Sequence, residues 1–298
     1  MPPIVALEPP AGAEYLVGSI QTYLRERFGA GVQVSELHEN YRSSAPLVEF
    51  ARTIGYPSQL IAVYPNTAIH CRTPIAGLQN SLPPSLPWST AWSNVLDPAF
   101  STVALLHDDD LSSQSNEFEA RIVASLIWCL RQSASKELDG RLQAAHTAPS
   151  ATEFWSTLVG IVTPHRAQRA AVIRELRRLF PSDDPLEIGE AVDTVERFQG
   201  GERHVIIISF AVGDPDVIAG EEAFLMQLER TNVAISRAMA KCIVIMPSSL
   251  AGHIPEDRKA LKTAHVLKGY VDEFCNRSVA ITIVDANVTR NGQLRWRV

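Results

Sequence analysis

Four short runs of aliphatic residues constrain the fold most strongly, because none of them alternates apolar with polar side chains. They are separated by longer segments with apolar residues at helical spacing, and they occupy residues 101–106, 158–163, 204–210 and 241–246. Uninterrupted Val, Ile and Leu are typical of strands buried on both faces, and such strands belong to parallel sheets covered by helices. The pattern therefore predicts an α/β fold, an open and mainly parallel sheet with helices on both faces.

Other segments complete this alternation of strands and helices. Apolar periodicity predicts the remaining helices at residues 14–28, 45–54, 116–132, 166–179, 221–239 and 256–275. Two further strands are predicted at residues 191–195 and 279–284. We expect a lead-in with a helix over residues 1–35, an α/β domain over 36–250, and a C-terminal extension packed on or beside it over 251–298.

The composition excludes several classes of protein. Hydrophobic residues make up 46% and charged residues 20%, which excludes a disordered or collagen-like chain. Lys and Arg number 27 against 33 Asp and Glu, for a net charge of −6, so a wholly basic nucleic-acid coat protein is excluded and any polyanion must meet a local basic patch.

Cysteine spacing and hydropathy predict the compartment. The four cysteines form no CxxC pair and no zinc spacing, which favours buried thiols in a reducing environment and no metal site. No apolar run approaches the roughly 20 residues that span a bilayer, and the N-terminus lacks signal-peptide features. We therefore expect no membrane contact and a cytoplasmic location, or a nuclear one in a eukaryote.

Residues 73–98 differ from their surroundings in composition. They contain five prolines, two tryptophans and almost no charge, and Pro83 and Pro84 cannot lie inside a helix or a central strand. We expect a long surface excursion, which could be a binding loop. The alternative, a packed structural loop held by Trp88 and Trp92, is favoured because long loops are only sometimes functional.

Functional residues are expected at strand-to-helix turns, because ligands of open parallel sheets bind beyond the carboxyl ends of the strands. After the strand at 158–163, the Thr163 hydroxyl could cap the next helix, and Pro164 suits the first helical position. Free N–H groups and basic side chains at a helix start favour phosphate binding. The basic residues are Arg166, Arg169, Arg174, Arg177 and Arg178. A capped helix with a solvated basic face is the favoured alternative for this segment alone.

Two later turns combine flexible backbone with polar side chains. The glycines at 200–201 permit close approach of the backbone to a ligand, with Gln199 and Glu202 beside them. A long glycine turn between antiparallel strands explains this segment equally well. Arg230 and Arg237 would lie two helical turns apart, and guanidinium groups suit phosphate oxygens. An exposed helix face is the favoured alternative for these two arginines.

A fourth candidate segment precedes the helix predicted at 45–54. Tyr41 could stack on a base and Arg42 could reach a phosphate. The alternative is an ordinary helix start in which Ser43 or Ser44 is the cap.

These segments occur in the order of the motifs of superfamily 1 helicases, which the chain resembles over about residues 36–247. The motifs are Asn-Tyr-Arg-Ser (40–43), Thr-Pro-His-Arg-Ala-Gln (163–168), Asp-Thr-Val-Glu-Arg-Phe-Gln-Gly-Gly-Glu (193–202) and Asn-Val-Ala-Ile-Ser-Arg-Ala (232–238). Phe-Gln-Gly-x-Glu followed by Val-Ile-Ile-Ile-Ser is most similar to the nonsense-decay and replication-repair branch, superfamily 1B. Residues 116–120 also resemble the Asn-x-x-Glu-Ala helix start of that branch. The resemblance implies a RecA-like fold.

The chain departs from the family pattern at three motif positions. Glu196 replaces the aspartate of Thr-Val-Asp, His165 replaces the tyrosine of Thr-Pro-Tyr, and Ile235 and Ser236 replace the leucine and threonine of Leu-Thr-Arg-Ala. These changes keep the motif arginine, and they leave the substrate preference open.

One family feature is absent from the sequence. No Gly-x-x-x-x-Gly-Lys-Ser/Thr segment occurs in the 298 residues, so there is no phosphate-cradling loop. Asp108, Asp109 and Asp110 could be mistaken for a magnesium-binding motif, but without such a loop a solvated turn is favoured. The resemblance therefore implies a second RecA-like domain only, with the first domain, which holds most of ATP and magnesium, outside these residues.

The resemblance also implies a role for each motif residue. The catalytic residues would be Arg237 as the arginine finger, Arg42 as a second γ-phosphate arginine, and Gln199 as a phosphate sensor. The nucleotide would be bound by Tyr41 at the adenine, Gly200 at the phosphates and Glu202 at the ribose. The nucleic-acid backbone would be contacted by Thr163, Arg166, Thr194 and Asn232. The expected partners are single-stranded nucleic acid, DNA rather than RNA, and the first RecA-like domain.

Three functions are open at this point. The favoured one is half of an ATP-driven helicase or translocase, moving 5′ to 3′ by resemblance. A non-motor module could instead bind nucleic acid or a protein without ATPase activity, with residues 73–98 as its docking surface. An unrelated enzyme for a small phosphorylated ligand would need a complete pocket in this chain, and the motif order disfavours it.

Overall fold

The computed structural model describes residues 24, 27–31, 35, 37–135, 148–195 and 201–297. The chain divides into two compact units, Met1–His38 and Glu39–Val298. In the first unit a 3₁₀ turn covers Gly29–Gly31. The helix predicted over residues 14–28 lies largely outside the described residues.

The second unit is built on one large sheet. The described strands of this unit are β1 (Glu39–Asn40), β2 (Ile61–Ala62), β3 (Thr102–His107), β4 (Val159–Thr163), β5 (Val192–Thr194), β6 (Arg203–Ser209), β7 (Ala238–Pro247), β8 (Arg277–Asp285) and β9 (Val288–Trp296), and the last seven form the large sheet. The sheet has the order β5-β4-β6-β7-β3-β9-β8, while β1 and β2 pair separately. Its first five strands are parallel, and β9 and β8 are antiparallel additions at one edge. The mainly parallel sheet predicted from the sequence is confirmed.

Helices connect these strands. They are α1 (Ala45–Thr53), α2 (Trp92–Val95), α3 (Glu117–Ser133), α4 (Ala151–Glu153), α5 (Arg166–Leu179), α6 (Pro185–Ala191), α7 (Pro215–Leu225), α8 (Leu228–Ile235), α9 (Ser248–Gly252) and α10 (Arg258–Lys268). A 3₁₀ segment covers Ile75–Ser81, and π-helical turns cover Phe154–Leu158 and Gly269–Phe274.

Both faces of the sheet are covered by apolar clusters. Along β3, Val103 and Leu105 join a cluster with α3, α5 and α6. The alternate residues Ala104 and Leu106 join a second cluster with α1, α7 and α10. Successive strand side chains point to opposite faces, so one aliphatic run contributes to two cores. Helices on both faces are thus confirmed.

The helix predicted over residues 221–239 is wrong in its bounds. Two helices occur instead, because α7 begins at Pro215 and the backbone leaves helical geometry before α8. The Asp214 side chain caps α7 by accepting from the amides of Asp216 and Val217. No glycine or proline marks the break between the helices, so the sequence carried no signal for it.

The C-terminal strands enlarge the sheet beyond the prediction. One strand was expected at 279–284, but β8 and β9 form a hairpin, and β9 pairs with β3. The turn contains Ala286 at φ 52, a left-handed conformation in which glycine or asparagine is usual. Because Ala286 occupies the position where glycine or asparagine is usual, the sequence lacks the usual signal for this hairpin. The division at residues 250 and 251 stays a prediction.

Several apolar side chains of residues 73–98 pack into the core. The buried Trp92 indole donates from Nε1 to Ser125 Oγ at 2.9 Å. The backbone of Trp88 pairs with Val284 of β8, with both N–H···O distances 2.8 Å. These contacts favour the packed structural loop over an open docking surface. In the described part of the chain, no helix combines the length and hydropathy needed to cross a bilayer.

Candidate nucleotide and nucleic-acid sites

The predicted site residues are divided between the two edges of the parallel strands. Glu202 and Arg237 immediately precede β6 and β7, so they lie at the amino edge. Thr163 and Thr194 end β4 and β5 and pair with each other, so they lie at the carboxyl edge. Glu202 and Arg237 therefore lie at the edge opposite to the strand-to-helix turns where functional residues were expected, and their roles stay predictions.

Arg42 is held beside the start of β7 by the segment that precedes α1. The Asn40 side chain accepts from the amides of Arg42 and Ser43, both at 2.8 Å. Ser43 Oγ in turn donates to the Ala238 carbonyl oxygen at 2.9 Å. The Arg42 guanidinium then reaches the turn before β7, where Nη1 donates to the Ser236 carbonyl oxygen at 3.2 Å. Bonds from side chains to backbone carbonyl oxygens therefore bring together two motifs that are almost 200 residues apart.

Arg42 and Arg237 line the same cavity, which has a volume of about 230 Å³. Residues of α1 and α8 form much of its wall. The remaining polar lining comes from Asn40, Ser43, Tyr56, Asn232 and Ser236. None of the described residues that line it carries a carboxylate. The cavity is thus a cationic concavity of the kind that suits phosphate oxygens.

The surroundings of Arg237 in this cavity disfavour the charged form of its guanidinium. Burial and the neighbouring charge of Arg42 lower its pKa, although Tyr56 and Glu202 act in the opposite direction. Its Nε is buried without a hydrogen-bond partner in the described part of the chain. An unmet buried donor costs about 1–3 kcal/mol, so an anion placed here would be stabilised.

Glu202 pairs with Arg42 across the amino edge. Arg42 Nε donates to Glu202 Oε2 at 2.6 Å, and the two side chains are 36% and 50% exposed. An ion pair this exposed contributes only about 0–1 kcal/mol, so a ligand can exchange it at little cost. The ribose contact of Glu202 stays a prediction.

Tyr41 is 61% exposed beside the cavity. Its hydroxyl donates to Glu39 Oε2 at 2.5 Å, and this bond raises the pKa of the phenol. Its ring contacts Tyr64 edge-on, with 6.2 Å between centroids. An exposed ring held by its hydroxyl and one edge can stack on a base, as the sequence predicts.

Asn232 lies apart from the other residues predicted to bind nucleic acid, and two further predicted residues cannot be compared. Gln199 and Gly200 lie outside the described residues. Asn232 lines the cavity with Arg42 and Arg237 and is not grouped with Thr163. Its contact with nucleic acid stays a prediction, and its position favours the nucleotide instead.

At the carboxyl edge, Thr163 does not cap α5. The cap residue is His165, and the Thr163 hydroxyl donates to the His165 carbonyl oxygen at 3.0 Å. Pro164 accordingly precedes the cap instead of occupying the first helical position. The physical reason is that Thr163 is still paired in β4, which fixes it in extended backbone. Because Thr163 is fully buried, its predicted contact with nucleic acid has no exposed hydroxyl to use.

The remaining nucleic-acid candidates differ in exposure. Thr194 is only 7% exposed, whereas Arg166 is exposed at the first position of α5. The other arginines of α5 bind groups of the chain itself. Arg169 pairs with Asp193, Arg174 with Glu117 and Arg178 with Glu175, and Arg177 donates to the Pro185 carbonyl oxygen. The basic face is therefore largely internally paired, and Arg166 is the arginine best placed for a phosphate.

A buried polar network behind this edge was not assigned a role by sequence reasoning. Glu119 is fully buried and accepts from His107 Nε2 at 2.9 Å, Ser209 Oγ at 2.6 Å and the Ala211 amide at 3.1 Å. The Asp109 amide donates to His107 Nδ1 at 3.3 Å, so Nε2 carries the proton of a neutral imidazole. The carboxylate is therefore satisfied by neutral donors.

Gln168 connects the network to α5. Its Nε2 donates to Ser209 Oγ at 2.8 Å, and its Oε1 accepts from the Asn116 amide at 2.8 Å. The Asn116 side chain also caps α3 by accepting from the Glu119 amide. The first turns of α3 and α5 are thus joined to the end of β6. The only sequence signal was the Asn-x-x-Glu-Ala resemblance, which named no contact.

The acidic run after β3 is tied to the C-terminal hairpin. Asp108 Oδ2 accepts from the Asn291 amide at 2.9 Å, and Arg290 lies 3.7 Å from Asp108 and 4.0 Å from Asp109. Within the described ranges, no group of three or more His, Cys, Asp or Glu could hold a metal ion. These contacts give Asp108 and Asp109 a structural explanation.

Comparison with known proteins identifies related chains. Residues 20–249 match the model of a family described as an AAA domain. DNA-binding protein SMUBP-2 of Rattus norvegicus is 27% identical over 92% of the chain, and "DNA replication ATP-dependent helicase/nuclease DNA2" of Saccharomyces cerevisiae is 37% identical over 33%. "Probable helicase senataxin" of Mus musculus is 32% identical over 29%. The matches cover 23%, 6% and 3% of these relatives, so the chain spans less than a quarter of their length.

Proposed function

The chain belongs to this AAA domain family, the C-terminal RecA-like domain of superfamily 1 helicases of the SMUBP-2, DNA2 and senataxin type, and we propose that it is the second motor domain of an ATP-dependent helicase or translocase. It supplies arginines to a nucleotide held by a P-loop domain, and it contacts the backbone of single-stranded nucleic acid.

The observation that carries this proposal is the convergence of Arg42 and Arg237. The two side chains come from opposite ends of the domain sequence and line one cavity. Burial and mutual repulsion disfavour the charge on Arg237, and its Nε lacks an acceptor among the described residues. A polyphosphate would offset both costs, which fits a site completed by a ligand.

The chemistry expected of such arginines is electrostatic. As the γ-phosphoryl group leaves, negative charge spreads over its oxygens, and a positioned guanidinium stabilises that charge. An arginine supplied in this way contributes roughly 10³–10⁵ in rate. Exchange of the exposed Arg42–Glu202 pair for phosphate would free Arg42 for the second contact.

The rest of the nucleotide site must come from elsewhere. The sequence contains no P-loop, and the described residues offer no acidic cluster for magnesium. Arg42, Arg237 and Tyr41 fit the nucleotide from one side only. We therefore assign the phosphate cradle and magnesium to a separate RecA-like domain.

The nucleic-acid contact is assigned to the carboxyl edge. Arg166 is exposed there, next to Thr163 and Thr194, and backbone phosphates are its natural ligands. DNA is favoured because the rat and yeast relatives are named for DNA binding and DNA replication. A local contact on a chain of net charge −6 would weaken steeply with salt.

A reconstitution experiment tests the proposal. We expect the purified chain to show negligible magnesium-dependent ATP turnover, and nucleic-acid-stimulated turnover once a cognate P-loop domain is joined to it. Robust turnover by the chain alone would overturn the proposal. Binding of single-stranded DNA without turnover in the joined protein would overturn it in favour of a non-motor module.

A further inference from the structure

The outermost strand of the large sheet, β8, has one side that is almost uncovered in the described part of the chain. β8 is last in the strand order, and its inner side pairs with β9. The outer side is the one turned away from β9. Among the described residues it pairs only with Trp88, at Val284. Unpaired backbone groups on an outermost strand are a template for pairing with another chain.

The contact with Trp88 shows which backbone groups of β8 point outward. Val284 donates to and accepts from the backbone of Trp88, with both N···O distances 2.8 Å. In an antiparallel strand, every second residue turns its N–H and C=O to the same side. The amides and carbonyls of Ser278, Ala280 and Thr282 therefore also point outward, and they have no hydrogen-bond partner among the described residues.

β8 carries none of the features that usually protect an outermost strand. Those features are short length, proline, central charges and bulges. β8 has nine residues without proline or bulge, and its only charged residues are the terminal Arg277 and Asp285. Val279 is 42% exposed, and Ala280 and Thr282 are exposed beside it. An uncharged outer strand of this length is expected to pair with a further strand.

The sequence of β8 is complementary to itself when two copies run antiparallel about Ala280. Ser278 of one copy then lies opposite Thr282 of the other, and Ala280 lies opposite its own counterpart. These are the residues whose backbone groups point outward, so each pair can exchange two hydrogen bonds. Val279 lies opposite Ile281, and β-branched pairs of this kind stabilise sheets. In this register no charged residue lies opposite another.

Trp88 and the start of β8 favour this register over its neighbours. A shift of two residues in one direction would place Ser278 opposite Val284, whose outward groups are already bonded to Trp88. The opposite shift would leave Thr282 without a partner in β8, because the strand begins at Arg277. A second copy of this chain therefore supplies a strand that matches the uncovered stretch in length, side chains and hydrogen-bonding groups.

We propose that two copies of this chain pair their β8 strands antiparallel about Ala280 and so form one continuous sheet. The interface is isologous, since the same residues meet on both sides of a two-fold axis. It lies at the end of the strand order opposite to β5 and uses no residue of the arginine cavity, so it does not depend on the proposed function. Two short strands form a small contact, and the dimer should be weak, with a Kd of about 10–100 µM.

Charge substitutions at the two-fold axis test this pairing. Sedimentation equilibrium of the 298-residue chain, at concentrations on both sides of that Kd, should show monomer and dimer. Ala280→Lys places two like charges directly opposite each other and should weaken dimerisation about 10-fold, as should Ala280→Glu. An equimolar mixture of the two variants should recover the affinity, because opposite charges then meet. Thr289→Lys, at an exposed residue of β9 on the same face, is the matched control and should leave the Kd unchanged.

Three results would overturn the proposal. A monomer at every concentration would assign the outer side of β8 to an extended segment of a different protein. A dimer with the same Kd in Ala280→Lys would place the interface elsewhere. Failure of the mixed variants to associate would show that β8 does not pair with itself about Ala280.

Amide hydrogen exchange gives a second readout that locates the new bonds. The amides of Ser278, Ala280 and Thr282 should gain protection as the concentration rises through the Kd. Those of Val279 and Ile281 face β9 and should be protected at every concentration, which also verifies that Ala280→Lys is folded. A dimeric sample without new protection at the outward amides would contradict pairing through β8.

Discussion

The two edges of the sheet differ in how completely their charged side chains are hydrogen-bonded. At the amino edge, two guanidinium groups share a cavity, and Arg237 keeps a buried donor without an acceptor among the described residues. At the carboxyl edge, the Glu119 carboxylate is fully buried and accepts from three donors. A polar group left unmet at a cavity marks a place for a ligand, whereas a satisfied buried group belongs to the scaffold.

The largest expected effect is on catalysis at the amino edge. Arg237→Ala should lower ATP turnover in the joined protein by about 10³–10⁵, because the transition-state charge loses its guanidinium. Nucleotide binding should be largely retained, as measured with a fluorescent ATP analogue. Arg178→Ala, an exposed arginine of α5, is the matched control. If turnover survives Arg237→Ala, the amino edge is not a catalytic site, and the proposed difference in function between the two edges is wrong.

The next effect is on stability at the carboxyl edge. Glu119→Ala should lower the free energy of unfolding by about 3–5 kcal/mol, because His107, Ser209 and Ala211 lose their buried acceptor. Urea denaturation measures this change. Glu117→Ala removes an exposed carboxylate of the same helix and should cost at most about 1 kcal/mol. If both variants lose the same free energy of unfolding, the network does not stabilise the scaffold and this interpretation is wrong.

The pH dependence of stability tests whether the buried Lys241 belongs to the scaffold and not to a ligand-binding site. It is fully buried, its Nζ donates to the Phe100 carbonyl, and burial lowers its pKa from 10.5 to about 7. The unfolded chain then binds more protons than the folded chain between pH 7 and 9, so stability should rise with pH there, by at most about 1.4 kcal/mol per unit. Above pH 9 the buried thiols Cys129, Cys242 and Cys275, whose pKa values burial raises to about 12, oppose this rise.

Denaturation at pH 7, 8 and 9 measures this slope. Lys241→Met should flatten it, whereas Lys262→Met, at an exposed lysine of α10, should not. A slope that persists in Lys241→Met would assign the titration to another group.

The smallest expected effect is on nucleic-acid affinity. Arg166→Ala should weaken binding of single-stranded DNA a few-fold and reduce the salt slope by about 0.7, the value for one lost phosphate contact on a single strand. Fluorescence anisotropy at several salt concentrations measures both quantities. Arg174→Ala, paired with Glu117 on the same helix, should leave the slope unchanged. If the unmodified chain, Arg166→Ala and Arg174→Ala all show the same salt slope, nucleic acid does not bind at this edge.

The sequence by itself determined the sheet and the identity of the two cavity arginines. Uninterrupted aliphatic runs permit few alternatives to buried parallel strands, so β3, β4, β6 and β7 were predicted within three residues at each end. Arg42 and Arg237 were found because their motifs are short and contiguous. Local pattern and local motif are properties that a linear sequence records directly.

Tertiary structure alone decided which residues meet. The separation of Glu202 and Arg237 from Thr163 and Thr194 follows from strand direction and order, and the contacts of Glu119 follow from strand and helix ends that no periodicity predicts. Such contacts join residues distant in sequence, and they depend on backbone geometry, such as the positive φ of Ala286, that becomes definite only when the chain is packed. That is why the sequence predicted a site of arginines, and the fold decided where it lies and what supports it.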